Sequence, residues 1–319
     1  MAWTFAHDAK CGDVDARILI FAIDQRSLDV RSFLTSDIYL NIKKMKGSTF
    51  SWTTPDGLNI HGHHWPVEQA KAVVAFVHGM GEHGARYAPI AKAFAEAEMA
   101  SMAYDRRGHG RSEGKRGHTI SFVAFIEEIK NLISKAKEAY PGLPVFLYGH
   151  SMGGNLVLNY LKDEAIEVDG VIASAPWIDL AFKPSPIKLQ MGKLVRSLLP
   201  GVSMKNDLDP AHISRDPAEV QAYINDPLVH DQITPNTGVF MLNKAEELQA
   251  YSGAIKVPLL IMHGTADKVI SFDAAKAFSE RVSGSVSFKS WEGGYHEIHH
   301  DPNKAEVIAF AKDWLLEQL

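Results

Sequence analysis

From Ser48 onward, short apolar runs alternate with stretches whose apolar residues recur every three or four positions. The runs 72–77, 100–104, 145–148, 171–175 and 258–262 are apolar almost throughout, as strands buried on both faces must be. A further run, 286–291, completes the series. Between them, 87–97, 122–139, 152–161, 274–282 and 304–319 carry helical spacing. In the second of these, Phe122, Phe125, Ile126, Ile129 and Ile133 share one face. Ahead of the series, 49–53 and 58–65 flank Pro55-Asp56-Gly57, a turn sequence, and predict a hairpin. Strand and helix alternating in this way predict an α/β architecture, a mostly parallel central sheet flanked by helices.

One interval breaks the rhythm. Residues 177–240 hold no βα unit, but Ile187, Met191, Leu194, Val195 and Leu198 fall at helical spacing before Pro200-Gly201. An insertion here, between strands six and seven, sits above the carboxyl ends of the strands, where open α/β sheets bind ligands. It is read as a cap over a core formed by 48–176 and 241–319. Residues 1–47 have mixed charge and no period, and Met45-Lys46-Gly47 could serve as a second start. This extension is read as a cloning remnant or an over-long start rather than a functional arm.

Composition narrows the function classes. With 319 residues, 46% hydrophobic and 22% charged, the chain can bury a full core and is no disordered tail. A formal charge of −5 gives no reason to expect a nucleic-acid partner, whose phosphates demand Lys and Arg. The single cysteine, Cys11, excludes an intramolecular disulfide framework and a Cys-based zinc cage, and it fits a reducing compartment. The apolar run 18–23 lies between Arg17 and Asp24 and is too short for a secretory or membrane segment. The expected location is cytoplasmic.

Gly149-His150-Ser151-Met152-Gly153 fits the G-x-S-x-G nucleophile elbow of the α/β-hydrolase fold, with an apolar strand before it and a helical stretch after it. The turn is so tight that the serine is strained and only small neighbours avoid collision. A serine needs a base and a third group to fix the base. In the order Ser, acid, His, the candidates are Asp267, just past the strand at 258–262, and His296, just past the strand ending at 291. Asp179 is the rival acid. The expected oxyanion donors are the backbone amides of Met152, after the nucleophile, and Met80, in the glycine-flanked His78-Gly79-Met80-Gly81 loop.

Other histidines invite different chemistry. His78, His109, His150 and His263 sit beside strand ends and could line the pocket, although local hydrogen bonding is their default. His296-Glu297-Ile298-His299-His300 satisfies H-E-x-x-H, a zinc-peptidase pattern. Gly293-Gly294 before it and Pro302 after it leave hardly two helical turns to hold ligands, so no metal is assigned. In His61-Gly62-His63-His64, alternation places His61 and His63 on one face of a strand, and a solvated strand is the default.

From about Ser48 to Leu319 the chain resembles the monoacylglycerol lipase and lysophospholipase branch of the α/β-hydrolases. The likeness rests on separated blocks: His78-Gly79-Met80-Gly81-Glu82-His83 with Arg86-Tyr87, Tyr104-Asp105-Arg106-Arg107-Gly108-His109-Gly110-Arg111-Ser112, Gly149-His150-Ser151-Met152-Gly153-Gly154, His263-Gly264-Thr265-Ala266-Asp267, and Tyr295-His296. The resemblance implies a triad of Ser151, Asp267 and His296, oxyanion donors at Met80 and Met152, and no cofactor. It implies an apolar cap admitting one acyl chain, around Trp177, Ile178, Leu180, Phe182, Met191, Leu194 and Leu198. The implied substrate is a small lipid ester, above all monoacylglycerol. Transient contact with a lipid surface fits such a substrate, although no strongly basic amphipathic helix supports it. Lysophospholipase, short-chain carboxylesterase and a non-catalytic binding protein on the same fold stay open as alternatives.

Overall fold

The computed structural model describes residues 47–162, 165–182, 190 and 194–319. The hairpin forms as the turn sequence predicts: β1 (Ser48–Thr53) and β2 (Asn59–Trp65) pair antiparallel, and Gly57 takes φ 88° in the turn. Alternation of strand and helix follows, with β3 (Ala72–Val77), α1 (Ala88–Ala95), β4 (Met99–Tyr104), α2 (Phe122–Ala139), β5 (Val145–His150), α3 (Met152–Tyr160) and β6 (Gly170–Ser174). After the insertion, which contains α4 (Pro217–Asn225), come α5 (Pro235–Ala250), β7 (Ala254–Gly264), α6 (Phe272–Arg281), β8 (Ser283–Trp291) and α7 (Lys304–Leu316). The strands form one eight-stranded sheet in the order β1-β2-β4-β3-β5-β6-β7-β8. Only β2 runs antiparallel to its neighbours, so the sheet is mostly parallel.

The apolar strands are buried on both faces because alternate side chains feed two cores. Val73, Ala75 and Val77 of β3 pack on one face with Phe125, Ile129 and Leu132 of α2 and Leu156 and Val157 of α3. Val74 and Phe76 point the other way, against Ile90 and Phe94 of α1 and Val307 and Trp314 of α7. Helix α2 starts where Ser121 accepts a hydrogen bond from the Ala124 amide at 3.1 Å, satisfying one of the orphan donors of its first turn. Strand β7 begins four residues earlier than its apolar run. Pro258, which has no amide to donate, falls where the β7–β8 register shifts, so the ladder passes the proline at an irregularity.

Within 177–240 the described residues make only small elements: a two-residue antiparallel pair, Met204–Lys205 with Gln232–Ile233, a single 3-10 turn at Pro210–His212, α4, and helical residues 194–198. Helix α5 crosses position 240, so the boundary expected there falls inside an element. Its first turn is Pro-Asn-Thr-Gly, poor in helix formers, and Thr234 caps it. The buried face follows at Met241, Ala245 and Leu248, which explains why apolar spacing did not announce the helix.

Candidate active site

Strand β5 runs directly into α3 through Ser151, which holds φ 54° and ψ −115°. A non-glycine residue at positive φ costs about 1–2 kcal/mol, and the surrounding packing enforces it. A Cβ on Gly153 would lie 1.9 Å from the Val77 carbonyl oxygen, and one on Gly149 would lie 2.6 Å from that of Gly153. Helix α3 therefore approaches β3 and β5 too closely for any other residue. The Ser151 amide donates to Ser174 at 3.0 Å, while its carbonyl accepts from Asn155 and Trp177, each at 3.0 Å. Ser151 is the N-cap of α3, yet its hydroxyl makes no capping bond among the described residues and remains uncommitted to the helix.

His296 follows β8 and Asp267 follows β7, both on the rim that carries Ser151. His296 Nδ1 donates to Asp267 Oδ2 at 2.8 Å, which leaves Nε2 as the ring nitrogen available to a hydroxyl. The amides of Val269 and Ile270 donate to Asp267 Oδ1 at 2.8 and 3.0 Å. Burial alone would raise the Asp267 pKa, but the two histidines bonded to it, His296 and His263, draw it well below the usual carboxylate range. Burial works against an imidazolium at His296, yet the Asp267 carboxylate outweighs it and lifts the pKa above the ordinary 6.5. Asp179, the rival acid, instead caps its own turn, accepting from the Leu180 amide at 2.8 Å.

Met80, in the loop after β3, borders the same cavity as Ser151, and Met152 follows Ser151 directly in the chain. Met152 is the first residue of α3, where a helix leaves its amide without an internal partner. The loop before Met80 is pinned: the Gly79 amide donates to Glu82 Oε1 at 2.6 Å, and Gly81 takes φ 77°.

Ser151, His296 and Met80 line one cavity of about 510 Å³. Its walls include Trp177, Leu180, Phe182, Leu208, Ile213, Val269 and Ile270, with Asn206, Asp209, His212 and Lys268 as polar members. Of the cap residues named from sequence, Trp177 and Leu180 line it, as does Phe182. Ile178 does not: it is fully buried in the core beside α3 and α5, because the chain turns inward directly after β6. Leu194 and Leu198 do not line it either. One helical turn apart, they share a face directed to solvent, 57% and 72% exposed. Met191 lies outside the described residues. Sequence reasoning missed Leu208, Ile213, Val269 and Ile270. Only the last pair carried a signal, as an apolar dipeptide two residues past the candidate acid.

A family model described as Serine aminopeptidase, S33, matches residues 68–303. The chain belongs to this family of α/β-hydrolases. A monoacylglycerol lipase from Mycolicibacterium smegmatis is 33% identical over 80% of this chain and 91% of its own length. An abhydrolase domain-containing protein of Dictyostelium discoideum is 36% identical over 86% of this chain, which spans only 30% of that longer relative. Among solved structures, the monoacylglycerol lipase of Paleococcus ferrophilus superposes with a TM-score of 0.74 at 31% identity, covering 86% of this chain and 100% of that one. The hydrolase is thus of the lipase and esterase kind, monoacylglycerol lipase-like. Among the described residues, none of its helices is long and apolar enough to cross a membrane.

Beneath the site the hydrolase buries an ionic network that the sequence did not reveal. Arg86 donates to Glu297 through both terminal nitrogens, at 2.8 and 2.7 Å, and to Glu82 at 2.8 Å. Burial would raise the Glu297 pKa, but Arg86 holds it down to about 2. Glu297 adjoins His296 and Glu82 accepts from the Gly79 amide of the loop that carries Met80, so one guanidinium braces both segments. In the H-E-x-x-H stretch, Ile298–His300 is a single 3-10 turn, and its residues are spent elsewhere: His296 on Asp267, Glu297 on Arg86, and His300 on Glu219 at 3.1 Å. The solvated-strand default fails for His63, which is buried and bonded to Asp105 at 2.9 Å. Asp105 also accepts from the Gly84 and Arg111 amides at 2.8 Å, so this contact ties β2 and β4 to the loop entering α1.

Proposed function

We propose that this hydrolase cleaves the carboxylic ester of single-acyl lipids, above all monoacylglycerol to fatty acid and glycerol, through an acyl-enzyme on Ser151. The observation that carries the reading is the conjunction of a strained, uncapped Ser151 with a His296–Asp267 pair on one largely apolar cavity. His296 Nε2 takes the Ser151 proton as the hydroxyl attacks the ester carbonyl. The Met80 and Met152 amides hold the oxyanion, and the imidazolium returns the proton to the leaving alcohol. Water repeats the cycle on the acyl-enzyme. Residues 177–240 act as the cap, and Trp177, Leu180 and Phe182 take the acyl chain. The exposed Leu194, Leu198 and Leu199 give the cap an apolar outer face suited to transient contact with lipid.

The test is hydrolysis of monoacylglycerol and of p-nitrophenyl esters of graded chain length by the wild type and Ser151→Ala, with fluorophosphonate labelling of both. Wild type should label and turn over long-chain substrate, and Ser151→Ala should do neither. Undiminished turnover by Ser151→Ala ends the assignment. An aminoacyl p-nitroanilide in the same series is expected to remain uncut. One observation favours lysophospholipid as a second substrate: Lys268, on the cavity wall, could meet a phosphodiester that glycerol lacks.

A further inference from the structure

Arg106 is among the largest fully buried side chains of the protein, and no carboxylate pairs with it among the described residues. Its neighbour Arg107 takes the ion pairs instead, bonding Glu128 and Asp56. Burying a guanidinium without a direct ion pair is expensive unless its donors are satisfied, and here two backbone carbonyls and the Phe125 ring, whose centroid lies 5.5 Å from the guanidinium carbon, hold it. Its bonds all go to one loop. Nη1 donates to the His78 carbonyl at 2.8 Å and Nη2 to the Gly79 carbonyl at 2.7 Å, while the backbone amide of Arg106 donates to His78 Nε2 at 2.9 Å. That last bond fixes the tautomer of His78. With Nε2 accepting, Nδ1 carries the proton and donates to the same Gly79 carbonyl at 2.7 Å.

We propose that Arg106 is a positioning residue for the oxyanion site, fixing the plane of the Gly79–Met80 peptide and so aiming the Met80 amide. The proposal rests on the acyl-transfer reading above. In a trans peptide the carbonyl and the amide of one unit point in opposite directions. Two donors clamping the Gly79 oxygen on the β4 side therefore turn the Met80 N–H to the opposite side. The serine is close by, since a Cβ on Gly79 would lie 3.3 Å from Ser151 Cβ. A carbonyl that accepts a charged donor also polarises its own peptide, strengthening the amide at the other end.

The experiment compares wild type, Arg106→Met and Arg106→Lys, with functional sites counted by exhaustive fluorophosphonate labelling. The readouts are kcat and KM on one p-nitrophenyl ester, and affinity for an alkyl boronic acid, which forms an anionic tetrahedral adduct on serine. Arg106→Met should lose about 10²-fold in kcat per site and a similar factor in boronic-acid affinity, with KM little changed. Arg106→Lys keeps the charge but cannot span both carbonyls, and should fall between, roughly 10-fold down in kcat. A purely structural tether would reduce the number of functional sites and leave kcat per site and boronic-acid affinity at wild-type values. That result overturns the proposal, and if Arg106→Met does not fold, the same result in Arg106→Lys overturns it. A wild type that neither labels nor cleaves esters would instead refute the acyl-transfer reading.

Discussion

His263 and His296 hydrogen-bond the same carboxylate oxygen, Oδ2 of Asp267, through Nε2 at 3.0 Å and Nδ1 at 2.8 Å. With the two amides on Oδ1, the carboxylate accepts four donors and can neither rotate nor take up a proton easily. The acid is thereby fixed by its own loop, since His263, Val269 and Ile270 all lie within four residues of it.

Replacing Asp267 by Asn should therefore do more than remove a charge. The amide would turn at least one N–H toward a ring nitrogen or backbone N–H that needs an acceptor, and His296 would lose the bond that sets its tautomer. The expected loss is about 10³- to 10⁴-fold in kcat with little change in KM, by analogy with other triads. Steady-state kinetics on a p-nitrophenyl ester decides it, and a loss below tenfold would remove Asp267 from the relay.

The pH dependence of kcat/KM follows from the same pair. A general base must be unprotonated, and the Asp267 carboxylate raises the His296 pKa above 6.5. Activity should fall as pH drops through that raised value, so the acid limb lies above 6.5. Any residual activity of Asp267→Asn should show its limb displaced to lower pH, because the raising charge is gone. A limb at or below 6.5 in the wild type would contradict the ion pair.

Acid should also weaken the fold, for a separate reason. Burial pushes the pKa values of His78, His109, His150 and His299 well below 6.5, with neighbouring cations or histidines adding to the effect. Below pH 6.5 the unfolded chain binds protons at these positions and the native protein does not, so stability falls as pH falls. The slope is about 1.4 kcal/mol per pH unit for each fully protected histidine. His296 has the opposite sign. Its raised pKa stabilises the fold below 6.5, and that contribution is lost as pH rises through the folded value. The four neutral rings outnumber it, so the melting temperature should decline steadily from pH 7 to pH 5. A flat melting profile over that range would show that these rings gain protons without unfolding.

Much of this architecture was legible because the strands of a parallel sheet must be apolar on both faces. That is why 72–77 and 122–139 match β3 and α2 residue for residue. The triad candidates were legible because each stands just past a strand end, a position periodicity can locate. What resisted reading shares one property: long-range partners that leave no local pattern. Arg86 meets Glu297 across 211 residues, and His63 meets Asp105 across 42. Ile178 and Leu198 are equally apolar in sequence, yet one is core and the other is surface. Helix α5 opens on residues that disfavour helix and is stabilised by tertiary packing of Met241 and Leu248.

Two glycine substitutions separate backbone strain from steric exclusion. Gly57, in the hairpin turn, has φ 88° and nothing within 4 Å of the place a Cβ would occupy. Gly57→Ala should cost only the positive-φ penalty, about 1–2 kcal/mol, and leave kcat unchanged. At Gly153 the φ is not in the left-handed region, but an added Cβ would sit 1.9 Å from the Val77 carbonyl oxygen and 2.6 Å from that of His78. No flexible side chain can yield there, so α3 must move away from β3. That shift carries Ser151 and the Met152 amide away from the Met80 loop. Gly153→Ala should therefore cost about 3 kcal/mol or more and lower kcat by at least about 10²-fold, the scale of losing an oxyanion donor. Thermal melts and kinetics on the two variants read these effects independently. If Gly153→Ala melts like Gly57→Ala and keeps its activity, the close approach of α3 to β3 is not what positions Ser151.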